Sequence, residues 1–427
     1  MSKSINDTIE LIWENKEKYF LGISDEGSSK WGKISELSST QVFLRDKNGN
    51  NGSLVEKLPL NNNILFKGDN LDVLLKLNKS HQNSVKCIYI DPPFNTGKIF
   101  DHYSDALDTS DWLSMMKIRL ELMRNLLTED GSLFVHIDDD EMPYLKVLLD
   151  EVFNEGKNVI QKNRQDRHHI ATIIWQKKYS PQNDAKFFSD VHDFVLVFAK
   201  NPKKFKLNNL ERTEEQLKRY KNPDNDYRGK WTSSDLTVKT PSEKNIYPIE
   251  LPSGRIVNPA KSRSWGVTKE KFEELVSDKR IWFGTSGNAM PRMKKFLSEV
   301  KAGVTPKTIW LAEEVGDNSE AKKELKAVLE SSDIVFTTPK PERLLHRIIA
   351  LASDENDLIL DAFLGSGTTC AVAHKMNRRW IGIENGEQID SIVVPRIEKI
   401  IQGEDLGGVT DLVGWKNGGE YKYFEVK

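Results

Sequence analysis

Asp357-Leu-Ile-Leu-Asp-Ala-Phe-Leu-Gly-Ser-Gly-Thr-Thr-Cys370 is the stretch on which the fold of this chain turns. Asp357 to Phe363 form an apolar run of the length of a buried strand. Gly365-Ser-Gly367 then permits a sharp turn, and Cys370 to Met376 continue as a helix. A second strand, Arg379-Trp-Ile-Gly-Ile-Glu384, follows and ends in an acid. Strand, Gly-x-Gly turn, helix and acid-tipped strand make a nucleotide-binding βαβ half. The two glycines let a ligand lie close to the backbone, and Glu384 stands where a carboxylate takes ribose hydroxyls. No Gly-Lys-Ser/Thr follows, so this is not a phosphate loop, and the third glycine of dinucleotide binders is missing. An adenosine ligand without a pyrophosphate fits, and S-adenosylmethionine is such a ligand.

Far upstream lies a second unit of the same kind. Ile64-Leu-Phe-Lys-Gly-Asp-Asn70 reads as a strand, Leu71 to Leu77 as a helix, and Val85 to Ile90 as a buried parallel strand. Asp69 and Asp91 both end strands, so both fall at the carboxyl edge of the sheet, where open α/β folds bind ligands. Asp91 opens the tetrapeptide Asp91-Pro92-Pro93-Phe94. The prolines fix the backbone and remove two N–H donors while their carbonyls remain as acceptors. Asp91 and the Pro92 carbonyl can accept both N–H bonds of an exocyclic amine, which frees the nitrogen lone pair to attack an electrophilic methyl group. Phe94 offers a face on which a base flipped out of a helix can stack. The plain alternative is a strand end followed by a proline turn. The glycine loop on the same chain favours the chemical reading.

The chain has 427 residues, enough for two domains or for one with a large insertion. With 38% hydrophobic and 30% charged residues, a soluble globular protein is expected. No run is long enough to span a bilayer and no signal peptide is visible, so no membrane association is expected. Cys87 and Cys370, the two cysteines, lie in apolar contexts. They read as buried free thiols in a reducing cytosol and exclude a cysteine zinc cluster. The net charge of −2 hides an asymmetry: residues 157–308 hold 31 Lys and Arg against 17 Asp and Glu, a net of +14, which leaves −16 on the rest. A basic middle between acidic ends is expected where one region faces phosphates, against the plain reading of a solvated surface.

The remaining segments place elements around these motifs. Ile5 to Tyr19 resembles an amphipathic helix, Trp31 to Leu44 a hairpin arm, and Asn48 to Ser53 a turn-rich loop. Asp111 is expected to cap a helix running to Leu127. Ser132 to Ile137 form a strand, and Asp138-Asp-Asp-Glu141 precede a helix from Met142 to Phe153. That acidic run reads as charge at a helix N-terminus, with a metal site as the alternative. Ile170 to Trp175 and Phe194 to Phe198 are further strands, joined by a polar loop on the ligand side of the sheet. From Lys200 to Thr308 basic residues alternate with aromatics such as Tyr227, Trp231 and Trp265. This suits a base-reading surface, although each Trp by itself is more often a core residue.

The order of these motifs resembles the permuted β class of DNA amino-methyltransferases, with the cofactor loop after the catalytic motif and a basic insertion between. Asp91-Pro-Pro-Phe-Asn-Thr-Gly97, Trp112-Leu-Ser-Met-Met116, Ile137-Asp-Asp-Asp-Glu141 and His192-Asp-Phe-Val-Leu-Val-Phe-Ala-Lys200 are similar to the Mod subunits of type III restriction-modification systems and their solitary relatives. The likeness covers roughly residues 60–200 and 335–400.

The resemblance implies an α/β, Rossmann-like, mostly parallel seven-stranded sheet in circularly permuted motif order, with an inserted target-recognition region. It implies four segments: an N-terminal extension (1–60), a catalytic half (61–200), a target-recognition region (201–335), and a cofactor-binding half with a tail (336–427). Asp91, Pro92, Pro93 and Phe94 match the catalytic motif. Asp361, Phe363, Gly365, Ser366, Gly367, Thr368 and Thr369 match the cofactor loop, and Glu384 the ribose ligand. Asp69, with Asn70, matches the acid near the adenine, and Lys340-Pro341 the segment flanking the methionine end. Phe94 departs from the commoner tyrosine, and the chain is shorter than typical Mod subunits.

The implied activity is methyl transfer from S-adenosylmethionine to adenine N6 in double-stranded DNA, in the bacterial cytoplasm. A homodimer and a separate restriction subunit are the implied partners. The alternatives are cytosine N4 methylation, where Ser more often replaces Asp91, and a DNA-reading subunit without catalysis. A nuclease or translocase would need another polypeptide.

Overall fold

The computed structural model describes residues 11–13, 16, 19–23, 29–32, 41–45, 51–55, 58–59, 61–95, 98–100, 103–105, 107–155, 163–183, 185–330, 336 and 338–426. The chain divides into two compact units, one of residues 1–208 with 307–427 and one of residues 209–306.

The first unit is built on one sheet of eleven strands. In chain order these are β1 (Val42–Arg45), β2 (Asn51–Leu54), β3 (Asn63–Lys67), β4 (Val85–Ile90), β5 (Leu127–Ile137) and β6 (His169–Gln176). They continue as β7 (His192–Ala199), β8 (Ile309–Trp310), β9 (Leu358–Asp361), β10 (Arg379–Glu384) and β11 (Tyr421–Val426). Across the sheet the order is β8-β6-β7-β5-β4-β9-β10-β3-β11-β1-β2. The seven strands from β6 to β3 are the expected mostly parallel sheet, with only β7 reversed. Beyond the expectation, β8 extends one edge, and β11, β1 and β2 extend the other.

Alternate residues of the strands face opposite layers. Ile88, Ile90, Leu358, Leu360, Ile381 and Ile383 pack with α1 (Asn70–Ser80), α2 (Thr109–Leu126) and α3 (Met142–Phe153) in one apolar cluster. Cys87, Tyr89, Ile359 and Trp380 are equally buried on the opposite face. There the covering layer includes α5 (Glu342–Ala352), α6 (Thr368–Lys375) and α7 (Val394–Gln402), preceded in the chain by α4 (Asn318–Leu329). Strands buried on both faces must be apolar throughout, which is why β4 and β9 were legible as continuous apolar runs. Cys87 and Cys370 are buried free thiols, and burial pushes both well up.

Several local expectations change. Asn51–Leu54 form β2, so the Asn48–Ser53 loop is in part a strand. Trp31 pairs with Phe20 in a hairpin of Tyr19–Ile23 and Ser29–Gly32, not with the segment that holds Leu44. Most of the helix read into residues 5–19 lies outside the described residues, and Tyr19 begins a strand. The cap of α2 is Asp108, with Asp111 in the first turn, and the helix stops at Leu126. No helix among the described residues is long and apolar enough to cross a membrane.

The second unit, residues 209–306, is made of short strands. Arg292–Phe296 pairs with Trp231–Asp235 and with Ile281–Trp282, and Thr237–Val238 pairs with Ser264–Trp265. Its core gathers Leu236, Tyr247, Ile249, Leu251, Val257, Trp265, Phe272 and Ile281. The Trp265 indole donates to the Tyr247 carbonyl at 2.8 Å. Trp231 and Trp265 are therefore buried, whereas Tyr227 is exposed. A bridge between Leu210 and Val304 joins the two ends of the unit, so the chain leaves and returns at one place. The unit is narrower than the 201–335 read from the sequence, because β8 and α4 belong to the first unit. It carries 19 Lys and Arg against 13 Asp and Glu, a net of +6.

Candidate active site

The two sequence motifs meet because β4 and β9 are neighbours. Ile359 pairs with Cys87 and Leu360 with Ile88, and that register brings Asp361 level with Tyr89, two residues before Asp91. A cavity of about 480 Å3 opens at this carboxyl edge. Asp91 and Pro93 line one side of it and Gly365, Ser366, Thr368 and Thr369 the other. Asp69, Asn70, Lys340, Asp361, Phe363 and Glu384 also line it, so most residues singled out from the sequence share one space. Pro92 and Pro341 are buried and do not reach the cavity, Phe94 is not among the residues that line it, and Gly367 caps α6 beside it. A wider cleft of about 960 Å3, around Arg124, Glu129 and Lys200, lies at the opposite edge of the sheet and holds none of these residues.

The glycine loop is held from three sides. Gly365 and Gly367 sit at φ +56° and +81°, where a side chain is strained. A Cβ at Gly367 would lie 3.1 Å from Val393 Cγ1, in the turn of π-helix Ile389–Val393 before α7. Glu384 accepts from the Gly365 N–H at 2.7 Å with one oxygen, and from the N–H groups of Asn385 (2.9 Å) and Gly386 (3.0 Å) with the other. Asp361 accepts from the Phe363 N–H at 3.0 Å and from the Thr369 hydroxyl at 2.5 Å. Burial pushes the Asp361 carboxyl up to about 7.

Behind the loop, Arg396 of α7 donates to the Ser366 carbonyl at 3.2 Å and to the Thr368 hydroxyl at 2.9 Å. Arg396 also pairs with Glu342 at 2.9 Å. Lys375 joins the same carboxylate at 2.8 Å and Asp405 at 2.6 Å, all four groups being buried. At the other end of the cavity Asp69 caps α1 through the Leu71 N–H (2.8 Å) and meets the buried Arg119 at 3.2 Å. Asn70 donates to the Ala362 carbonyl at 2.9 Å.

The Asp91 side is equally specified. The Trp112 indole donates to the Pro93 carbonyl at 2.8 Å and fixes the turn. Asp91 Oδ2 accepts from Lys340 Nζ at 2.5 Å, whereas Oδ1 is buried with no donor among the described residues. Lys340 Nζ also lies 5.4 Å from the centre of the Phe94 ring. Phe94 stacks on His136, with centroids 5.9 Å apart and planes 10° from parallel.

His136 is fully buried. Burial, with the charge of Lys340 adding to it, lowers its basicity and keeps the ring neutral. Its Nε2 therefore donates to Asp193 (3.2 Å), and its Nδ1 accepts from the Tyr89 hydroxyl (3.1 Å). Burial works to raise the Asp193 carboxyl. The hydrogen bond from His136 and the charges of Lys177 and Lys340 outweigh it and hold the group well below the usual range.

The acidic run after β5 precedes α3 as expected, with Glu141 at the N-cap position. Glu141 does not cap α3 with its side chain; it accepts from Asn95 (2.8 Å) and Thr109 (3.2 Å) and so anchors the loop after Phe94. Burial, helped by Asp140 and Asp193, pushes Asp138 up to about 6. Among the described residues no cluster of His, Cys, Asp and Glu could hold a metal ion.

With this geometry in place, the pattern that defines DNA methylases matches residues 85–394. The chain belongs to the DNA methylase family. The chain is similar to the probable type III restriction-modification enzyme HindVI Mod subunit of Haemophilus influenzae. The two are 32% identical over 417 residues, which cover 85% of this chain and 54% of that one. It is also 32% identical to the type III restriction-modification enzyme StyLTI Mod subunit of Salmonella typhimurium, over 74% of this chain and 50% of that one. The chain thus spans about half the length of these relatives. Among solved structures, the PvuII DNA methyltransferase (cytosine-N4-specific) aligns over 80% of this chain and 89% of its own, with 15% identity and a TM-score of 0.43.

Among the residues that line the cavity without having been singled out from the sequence are Tyr89, Phe336, Thr338 and Gln388. Gln388 lies one turn beyond Glu384, and its Oε1 is a buried acceptor with no donor among the described residues. Only its distance from the acid-tipped strand could have pointed to it. Tyr89 alternates with Ile88 and Ile90 and reads as one more apolar strand residue. His136, Asp193 and Lys177 converge from separate strands and a loop, and no spacing in the sequence signals that.

Proposed function

We propose that this methylase transfers a methyl group from S-adenosylmethionine to the N6 amine of adenine in double-stranded DNA. The observation that carries the reading is Asp91. Its Oδ1 is a buried acceptor with no donor among the described residues, on a side chain that lines the same cavity as the glycine loop. Leaving such an oxygen without a donor costs about 1–3 kcal/mol, so a partner from outside the chain is expected. An amine N–H is that partner. Asp91 accepts it, orients the nitrogen and draws off positive charge as the amine reacts. Phe94 is the platform on which the flipped base stacks, and His136 behind it keeps the ring from turning. Catalysis by positioning and electrostatics is sufficient, since an amine needs no activated nucleophile on the protein.

The residues around the loop fit S-adenosylmethionine. Gly365 and Gly367 keep the backbone bare, Glu384 offers carboxylate oxygens at the end of β10, and Gln388 Oε1 supplies a second acceptor without a donor. Lys340 and Pro341 flank the methionine end. When bound, the cofactor supplies an electrophilic methyl group on a sulfonium.

We assign base reading to the basic unit of residues 209–306, between the catalytic and cofactor segments. The likeness to type III Mod subunits supports a modification role in the bacterial cytoplasm, with cleavage left to a separate restriction subunit and with a homodimer as the working assembly.

The test is incubation of the purified chain with tritiated S-adenosylmethionine and unmethylated plasmid, followed by mass spectrometry of the nucleosides. N6-methyladenine is expected; N4-methylcytosine would replace the assignment of the base, and no transfer would end it. Asp91→Ala is expected to abolish transfer while cofactor affinity, read by calorimetry, stays.

A further inference from the structure

Between β6 and β7 the chain runs out from the carboxyl edge of the sheet and returns as residues 177–191. β6 runs parallel to β5, so this loop emerges on the same edge as Asp91 and Gly365. Near its far end stand Phe187 and Phe188, 84% and 97% exposed. Single exposed apolar residues are ordinary, but two adjacent phenylalanines held almost wholly in water forgo the burial that such rings normally gain.

The root of the loop is rigid. The N–H groups of Lys177 and Lys178 donate to the Val191 carbonyl at 2.9 and 3.3 Å, and the Gln182 N–H donates to Ser189 Oγ at 2.7 Å. Lys177 Nζ pairs with Asp190 and Asp193, each at 2.7 Å. Asp193 in turn accepts from His136, the ring on which Phe94 stacks. A continuous set of contacts thus joins the base of the loop to the residue assigned to hold the flipped base.

We propose that Phe187 and Phe188 are a wedge that enters the base stack of duplex DNA next to the target and occupies the space the flipped base leaves. The proposal rests on the reading of duplex DNA as the substrate. A flipped base leaves an unstacked gap, and an inserted apolar side chain offsets part of that unstacking. The pair lies on the edge from which a base would enter the cavity. Lys186, whose Nζ is 5.3 Å from the centre of the Phe187 ring, sets a cation beside the wedge where backbone phosphates run. The cation favours a polyanion over an apolar protein surface as the occupant.

The test compares the wild-type chain with the double variants F187A/F188A and F187W/F188W. Methyl incorporation into unmethylated plasmid, cofactor affinity by calorimetry, and the mass of the DNA-free protein by light scattering are measured for each. Loss of base–aromatic stacking is expected to cut incorporation about ten-fold or more in the alanine variant. Cofactor affinity and mass should stay at their wild-type values, and the tryptophan variant should recover most of the loss. Incorporation within two-fold of wild type in the alanine variant overturns the wedge. So does a changed mass, which would place the pair between copies of the chain. A wild-type chain that methylates no plasmid defeats the functional reading itself, and the wedge with it.

Discussion

Lys340 Nζ lies 2.5 Å from Asp91 Oδ2 and 5.4 Å from the centre of the Phe94 ring, so one ammonium touches both groups assigned to the target amine. Lys340 precedes α5, on a segment the sequence reading placed beside the cofactor, and in the structure it lines that cavity and also pairs with Asp91. Its side chain is 8% exposed and that of Asp91 22%, so water screens the pair little and loss of either partner leaves a poorly solvated charge.

Lys340 is therefore expected to orient Asp91. In Lys340→Met the carboxylate loses its only ion-pair partner among the described residues and can turn away from the cavity. Methyl transfer should fall about 10- to 100-fold, the scale on which misplaced catalytic groups act. Lys340→Arg should keep more activity than Lys340→Met. Single-turnover assays at saturating cofactor check this, and unchanged transfer in Lys340→Met would dismiss the orienting role.

The Asp193 carboxyl sets a pH dependence of stability. Its folded-state value lies below the ordinary 3.8, so it releases its proton more readily in the native state than in the unfolded chain. The stability it contributes is fully present above the ordinary carboxylate range and is lost as pH falls below it. Asp193→Asn should cost about 1–3 kcal/mol near pH 7. The gap between wild type and variant should narrow as pH drops from about 5 toward 3. Urea titrations at a series of pH values would show this, and a gap that does not change with pH would refute it.

Glu342 is the hub of the buried charges behind the glycine loop, bonded to Arg396, Lys375 and the Val409 N–H. Glu342→Ala leaves the buried Arg396 without its carboxylate and Lys375 with Asp405 alone, and removal of one partner from such a pair costs about 3–5 kcal/mol. Arg396 would also lose its orientation toward Ser366 and Thr368. Thermal denaturation and cofactor calorimetry should both register the change, with affinity falling in whatever fraction stays folded.

Gly367 is a point where one added carbon matters. At φ +81° a Cβ is strained by about 1–2 kcal/mol, and it would press on Val393. Gly367→Ala should destabilise by about that much and weaken cofactor binding about ten-fold or more, since 1.4 kcal/mol is a factor of ten. Gly254, at φ +81° with nothing within 4 Å of an added Cβ, provides the control. Gly254→Ala should show the strain without the loss of cofactor affinity.

Much of this site was legible because buried parallel strands must be apolar, and their ends must carry whatever touches the ligand. Val85–Ile90 and Arg379–Glu384 have the bounds read from the sequence, and their acids fall where expected. Edge strands carry no such signal: β2 holds Asn-Gly-Ser-Leu, and it read as a turn until pairing with β1 gave it a partner. Glu141 stands at the helix N-terminus as read, but its bonds to Asn95 and Thr109 had no signal in the sequence because those residues are distant along the chain.

The sequence by itself determined the chemistry on offer: an acid before two prolines and an aromatic ring, a bare glycine turn, and an acid-tipped strand after it. Local backbone rules and the alternation of apolar residues suffice for that, because they act over a few residues. Only the tertiary structure decided that 270 residues after Asp91 the chain returns beside it as Asp361, with β9 laid against β4. It alone also settled which charges are spent on one another and which oxygens are left without a donor. Those outcomes depend on contacts between segments far apart in the chain, where burial makes each pairing strong and each unpaired oxygen costly.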